Sequence, residues 1–334
     1  MVNKKYVLGI ESTAHTFGIA ILDDQGQILV NIKDSFTTED GEGGMIPVKV
    51  AEHHRAICDS LYERAITDAN IKEEQIQAVA FSNAPGLAPC LLEGLRFAKK
   101  IAEKLDIPLV PVNHCVAHLE IGETVGAKDP VMLYASGANT QIIAYESGKY
   151  RVFGETLDIG VGNFIDTFAR HIGLGFPGGP KIQKLAEQGK EFIELPYSIK
   201  GMDVAFSGLQ TKLKQLFEKG YKSEDLAFSM QETVFAMLVE ASERALAHTG
   251  KKELLLGGGV ACNARLQEMC KKMCEERGVQ YFCPPMSLLV DNAGMIGYLG
   301  LKMFKKGIYT EPKDFEKLDI NPRERTDDVE VTWK

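Results

Sequence analysis

The chain has 334 residues, 45% of them hydrophobic and 25% charged, with a formal net charge of −8. That length is too great for one small core and predicts two domains of ordinary size, with the composition of a folded, soluble protein. The negative balance excludes a surface that binds nucleic acid broadly and nonspecifically, though not a local basic patch. Candidate patches are Arg96/Lys99/Lys100/Lys104, Lys212/Lys214 and Lys302/Lys305/Lys306, each also readable as a solvated helix face. Met1-Val2-Asn3-Lys4-Lys5 leads straight into a strand without a signal-peptide core, and no apolar run is long enough to span a bilayer. Seven scattered cysteines (Cys58, Cys90, Cys115, Cys262, Cys270, Cys274 and Cys283) form no paired CxxC knuckle. They fit reduced thiols in a cytoplasmic protein, with Cys270 and Cys274 as core residues on one helix face.

In chain order, Tyr6–Ile10, Phe17–Leu22 and Gln27–Ile32 alternate as strands. They are separated by the small polar turn Glu11-Ser12-Thr13-Ala14-His15-Thr16 and the acidic turn Asp23-Asp24-Gln25-Gly26. A helix over about 48–69 leads to strand Ile76–Ser82, the turn Asn83-Ala84-Pro85-Gly86-Leu87 and a helix over about 90–105. The apolar strand Pro108–Val112 then enters a helix at Asn113-His114. Residues 131–157 repeat the opening plan, with strand Val131–Ala135, turn Ser136-Gly137-Ala138-Asn139-Thr140, and strands Gln141–Tyr145 and Tyr150–Phe153. A longer, more irregular middle, 158–250, precedes strand Glu253–Leu256, turn Gly257-Gly258-Gly259, a helix over about 262–276, strand Val279–Cys283 and a last helix at Asp291-Asn292.

The two halves share a βββαβαβα plan, which predicts a two-lobed α/β protein with a cleft between the lobes. The expected division is 1–126 for the N-terminal lobe, carrying the histidine pair, and 127–334 for the C-terminal lobe. The latter includes the inserted segment 158–250 and a polar C-terminal tail. This topology resembles the actin-like ATPase fold (the ribonuclease H-like ASKHA class), shared by sugar kinases and the 70-kDa heat-shock chaperones. In that fold the small-residue turns between the first two strands of each lobe face nucleotide phosphates. Here those turns are Ser12-Thr13 and Ser136-Gly137, whose backbone N–H groups and short hydroxyls suit close approach to anionic oxygens.

The chemistry concentrates at Asn113-His114-Cys115-Val116-Ala117-His118. Two histidines four apart share one helical face and can share a metal ion; a packed face with satisfied imidazoles is the other reading. A zinc protease helix places a glutamate beside its first histidine as general base. Here Cys115 holds that place, and Glu120 follows the pair. His114 and Asp291 begin equivalent helices in opposite lobes. Asp291 is therefore expected as a third ligand across the cleft, with a helix N-cap as its alternative. Tyr134 ends the strand before Ser136-Gly137; its phenol can reach the same metal, or the residue is simply buried in its strand. Two histidines with one carboxylate suit zinc or non-haem iron.

Gly257-Gly258-Gly259-Val260-Ala261-Cys262-Asn263 opens a helix after a strand without Walker or dinucleotide spacing. Its glycines admit a flat adenine or ribose, with Asn263 as a polar handle, or else form a tight strand–helix turn. Asp158, Gly160, Gly162 and Asp166 flank the irregular loop Gly175-Phe176-Pro177-Gly178-Gly179-Pro180. Asp166 suits ribose or substrate hydrogen bonds, or a helix surface equally well. His15, His53, His54 and His171 have no partner spacing and read as structural.

The segments Gly9–Thr16, Ala51-Glu52-His53-His54, Pro85-Gly86-Leu87, Asn113–His118, Ser136–Gln141, Phe153–Gly162, Gly173–Pro180, Phe206-Ser207-Gly208-Leu209, Gly257–Asn263 and Asp291–Ile296 carry a further likeness. Through them the chain resembles, over nearly its whole length, the universal tRNA threonylcarbamoyl transferase family in its archaeal form, the catalytic subunit of the KEOPS complex. Its members were once called O-sialoglycoprotein endopeptidases. The resemblance implies an acyltransferase that moves the threonylcarbamoyl group of threonylcarbamoyl-adenylate to N6 of the adenosine just 3′ of a tRNA anticodon, releasing AMP. It implies iron or zinc on His114, His118, Tyr134 and Asp291. It also implies an adenine nucleotide (ATP, AMP or the adenylate) on Tyr134, Ala135, Ser136, Gly137, Ala138, Asp166, Gly179 and Asn263, with Gln183 where an acidic ribose contact is expected. Ala138 replaces a glycine often found after Ser-Gly. The implied partners are tRNA, a separate small protein kinase and a small dimerising subunit, with no membrane. The competing readings are a glycoprotease-type metalloprotease, an actin-fold phosphotransferase, and a non-catalytic nucleotide-binding scaffold. The first lacks its glutamate, the second has no use for a histidine pair, and the third class lacks that pair.

Overall fold

The computed structural model describes residues 5–37 and 45–334; the expected run of Met1–Lys4 into the first strand lies outside the described residues. The chain forms two compact units, Met1–Ile121 with Asp291–Lys334, and Gly122–Val290.

In the first unit, β1 (Tyr6–Glu11), β2 (Thr16–Leu22) and β3 (Ile28–Ser35) form an antiparallel meander. Helix α1 (Pro47–Asp68) leads to β4 (Ile76–Ala84), α2 (Ala88–Leu105), β5 (Leu109–Asn113) and the short α3 (His114–Glu120). Strands β4 and β5 add parallel to β1, giving the order β3-β2-β1-β4-β5 among the described residues. Three of the four basic residues of the α2 patch are ion-paired: Arg96 with Glu93, Lys100 with Asp59, and Lys104 with Glu73, while Lys99 donates to the Leu318 carbonyl. That patch is thus locally compensated.

The second unit repeats the plan. Strands β6 (Val131–Ala135), β7 (Thr140–Glu146) and β8 (Lys149–Glu155) form the meander. Then come α4 (Val161–His171), α5 (Gly178–Ala186), the small pair β9 (Ile199–Lys200) and β10 (Asp203–Val204), α6 (Ser207–Glu218) and α7 (Ser223–Thr249). Strand β11 (Glu253–Gly257), α8 (Ala264–Arg277), β12 (Gln280–Phe282) and α9 (Met286–Leu289) complete the unit. The order β12-β11-β6-β7-β8 matches the first sheet strand for strand. The middle, expected to be irregular, is mostly helical. On α7, Leu226, Met230, Val234, Leu238, Ala241 and Ala245 are buried at helical spacing, which fixes a helix of 27 residues.

The final helix, α10 (Ala293–Lys305), corrects the expected division. Residues from Asp291 on belong to the first unit, because α10 packs on β1, β2, β4 and β5 of the first sheet. The approach is at backbone distance. A Cβ on Gly9 would lie 2.4 Å from the Ala293 carbonyl oxygen, and one on Gly300 would lie 2.1 Å from the Ala80 Cβ. Among the described residues no helix is long and apolar enough to cross a membrane, and all seven cysteines are free, Cys270 and Cys274 being buried. Overpacking at such a contact costs about 1–3 kcal/mol. Gly300→Ala is therefore expected to lower the free energy of unfolding by an amount in that range, obtained from urea denaturation followed by circular dichroism.

Candidate metal centre

Helix α3 starts where β5 ends, and Asn113 makes the junction: its Oδ1 accepts the N–H groups of Cys115 and Val116 at 3.0 and 3.2 Å. The i,i+4 spacing then places the imidazoles of His114 and His118 on one face, edge to face with centroids 4.8 Å apart, both rings buried. Asp291 precedes α10. The N-cap of that helix is Asn292, whose Oδ1 accepts the Met295 N–H at 3.0 Å, so the Asp291 carboxylate is not the cap. Asn31 of β3 receives the Gly294 N–H at 3.2 Å and fixes this entry. Asp291 Oδ1 lies 3.3 Å from His114 Nε2 and 3.7 Å from His118 Nε2. The three ligand atoms all fall within 4.8 Å of one another. A tetrahedral zinc ion with ligand bonds of about 2.0–2.1 Å spaces its donors about 3.4 Å apart, so the residues present fit such an ion. Asp291 was expected from the opposite lobe; it comes from the same unit as both histidines, carried there by α10.

The other nitrogen of His114 is also held. Glu11, at the end of β1 and fully buried, places Oε2 2.9 Å from His114 Nδ1. Its Oε1 accepts the Thr13 N–H at 2.8 Å and the Thr13 hydroxyl. With Nδ1–H donating to Glu11, Nε2 presents its lone pair toward Asp291 and His118. In the metal-free centre, burial opposes a charged His114, but the Glu11 and Asp291 carboxylates outweigh it and hold that imidazole well above its ordinary range. Burial alone would raise Asp291; the two histidines overcome it and keep the carboxyl well below its ordinary range. Burial, reinforced by the His114 charge, holds His118 low. A cation entering here displaces the His114 proton.

The turn after Glu11 is anchored from α1. His54 Nε2 donates to the Ala14 carbonyl at 2.8 Å, and among the described residues its buried Nδ1 meets no hydrogen-bond partner. Burial therefore lowers its pKa from 6.5 to about 4.

The nucleotide candidates lie in the second unit. Tyr134 is buried on β6, opposite Gly257 of β11. The turn Ser136–Ala138 is clamped to the start of α4: the Gly162 and Asn163 N–H groups donate to the Ser136 and Gly137 carbonyls at 3.0 and 2.9 Å. Asp166 Oδ1 accepts the Gly178 N–H at 2.7 Å, so it holds the start of α5. Asn263 caps α8 and donates from Nδ2 to Gln231 Oε1 at 2.9 Å. Gly179 and Asn263 line a shallow, largely apolar recess with Phe164, Ile165, Ile182 and Gln231. Gln183 follows on α5, half-buried. Asp158 lies apart from this group; it accepts the Phe206 and Ser207 N–H groups and braces the start of α6.

Residues 27–298 match the sequence family described as TsaD: tRNA N6-adenosine threonylcarbamoyltransferase. The chain is 52% identical over 98% of its length to the tRNA N6-adenosine threonylcarbamoyltransferase of Thermococcus sibiricus, spanning 99% of that protein. It is 49% identical to a probable bifunctional tRNA threonylcarbamoyladenosine biosynthesis protein of Methanothermobacter thermautotrophicus, of which it spans 60%. The chain belongs to the tRNA N6-adenosine threonylcarbamoyltransferase family. Among solved structures, HypF from T. kodakarensis aligns with a TM-score of 0.63 at 15% identity, covering 94% of this chain and 49% of that one. The activator of the 2-hydroxyisocaproyl-CoA dehydratase from Clostridium difficile aligns at 0.53 and 11% identity, covering 91% of this chain and 98% of that one. At those identities the likeness shows the fold alone, and it is the actin-like ATPase type.

For this transferase the sequence missed three contributors: Glu11 behind His114, Gln231 beside Asn263, and the cap role of Asn292. Glu11 stands at the start of the polar turn Glu11–Thr16, but its role needs the strand–helix contact that only the fold supplies. Glu11→Gln keeps the shape and removes the charge behind His114. It is expected to weaken metal binding about 10–100-fold in a chelator competition assay, the usual range for such supporting residues. A second outcome concerns pH. Between about 6.5 and 4 the unfolded chain takes up a proton at His54 while the folded one does not. Stability therefore falls on acidification across that window, by about 3 kcal/mol in total. His54→Gln is expected to flatten that part of the stability–pH curve, measured by chemical denaturation.

Proposed function

We propose that this family member transfers the threonylcarbamoyl group from threonylcarbamoyl-adenylate to N6 of the adenosine immediately 3′ of the anticodon, in tRNAs reading codons that begin with adenine, releasing AMP. The observation that carries the reading is the convergence of His114, His118 and Asp291, with Glu11 behind His114. The donor is a mixed anhydride, so attack by the adenosine amine on its carbamoyl carbon breaks the bond to the phosphate oxygen, and AMP leaves with that electron pair. No nucleophilic side chain is required.

In this reading His114, His118 and Asp291 hold one iron or zinc ion. When bound, that metal supplies Lewis-acid stabilisation of oxygen charge and a template for the donor. Glu11 keeps His114 in the ligating tautomer. The backbone of Ala135–Ala138 receives the phosphate side of the nucleotide. The adenine enters the apolar recess beside Gly179 and Asn263, and Asp166 and Gln183 meet the ribose. Hydrolysis of peptides is disfavoured by the site itself, since Cys115 is buried where a zinc protease has its base and the Glu120 carboxylate is engaged by Lys302 and Trp333. We place the protein in the cytoplasm, working with a separate small protein kinase and a small dimerising subunit of the KEOPS type. The relative described as bifunctional supports a second activity beside this one.

The test is reconstitution with the adenylate-forming enzyme, these partners, threonine, bicarbonate, ATP and tRNA, followed by nucleoside mass spectrometry. Wild type is expected to form threonylcarbamoyladenosine, and His114→Ala to lose at least about a hundredfold in rate together with its bound metal. Equal modification by the variant would refute the metal-centred mechanism.

A further inference from the structure

Helix α3 carries both histidines on only seven residues, a length at which a helix is marginal without outside support. That support comes from a segment more than 200 residues away in sequence. At the N-terminal end, Nδ2 of the capping Asn113 donates to Glu324 Oε2 at 2.9 Å. At the C-terminal end, the fully buried carboxylate of Glu120 accepts the indole N–H of Trp333 at 3.1 Å. Trp333 is the chain's single tryptophan, and it is 4% exposed. Between these points Thr326 is buried; just before Glu324, the Asn321 N–H donates to the Asn83 carbonyl near the end of β4 and the Pro322 carbonyl accepts the Gly86 N–H in the turn that follows.

Glu120 has a second role. Its other oxygen pairs with Lys302 of α10, the helix whose entry presents Asp291. One buried carboxylate therefore ties together α3, α10 and the segment after α10. These are the two helices that set the spacing of His114, His118 and Asp291, plus a clasp. Metal ligands tolerate displacements of only a few tenths of an ångström.

We propose that residues 321–334 are a clasp that positions α3 for metal binding, with Glu324 and Trp333 as positioning residues at its two ends. The inference rests on the metal reading of the histidine pair. Loosening either end lets the short helix rotate or fray, and the Nε2 atoms of His114 and His118 then no longer converge on Asp291. Because Trp333 bonds to the helix that carries the ligands, its emission changes when the centre is filled.

The experiment uses the full chain, stripped of metal and titrated with zinc, which is redox-silent. Trp333 emission is expected to change and saturate at one zinc per chain, with the midpoint found by chelator competition, and His114→Ala is expected to abolish both signals. Trp333→Phe keeps a packed ring and removes only the indole donor; Glu324→Gln keeps the shape and removes the charge. Each is expected to weaken zinc binding about tenfold or more by competition, while the thermal unfolding midpoint stays close to that of wild type. Zinc bound as tightly by His114→Ala would overturn the metal reading, and the clasp with it. Zinc bound at the histidine pair with wild-type affinity in both clasp variants would overturn the clasp alone, whether or not the emission moves.

Discussion

The close seat of α10 on the first sheet is the constraint on which the centre depends. Gly9 and Gly300 exist at that contact because a single methyl group at either position would collide with the opposing chain. With α10 at that distance, its entry residue Asp291 arrives beside a histidine pair from far earlier in the sequence, and Lys302, further along the same helix, reaches Glu120. The carboxylate and the imidazoles are thus positioned by packing of regular elements. Loops do not set the distance between them. That suits a site whose ligands must hold their spacing.

Around this contact polar groups brace His114 and the entries of both helices. Glu11 holds the far nitrogen of His114, Thr13 holds Glu11, and Asn113 holds the first turn of α3. Asn292 takes over the capping of α10 and leaves the Asp291 carboxylate for the centre. Burying three charged or titratable groups together is costly unless each is compensated. Without a cation, the compensation is a proton on His114 shared between two carboxylates. A divalent cation replaces that proton with a larger charge at the same place, which is why the donor set favours a metal over an empty ion pair.

Much of this was legible in the sequence, because local patterns carried it. The alternating meanders and the matched turns gave both sheets in their correct internal plan. The His-x3-His spacing and Asp291 named three side chains that the structure brings together. What failed depended on long-range packing. Symmetry between the halves assigned Asp291 to the second lobe, whereas α10 crosses back to cover the first sheet. The segment 158–250, expected to be irregular, is mostly helical, and α7 with its buried stripe is its longest regular element. Glu11 gave no signal of its role, since its partner His114 lies 103 residues away.

The same geometry separates transfer from hydrolysis. A metalloprotease activates a water molecule with a carboxylate poised beside its metal. Here the carboxylates near the histidines are otherwise engaged. Glu11 faces the rear nitrogen of His114, Asp291 sits among the ligand atoms, and Glu120 is bound to Lys302 and Trp333 behind the helix. Each of these carboxylates is engaged with a neighbouring side chain. A centre built in this way holds and polarises what is brought to it. Its proper substrate is therefore one that is activated before it arrives, as an acyl-adenylate is, and the acceptor amine supplies the nucleophile that the protein itself lacks.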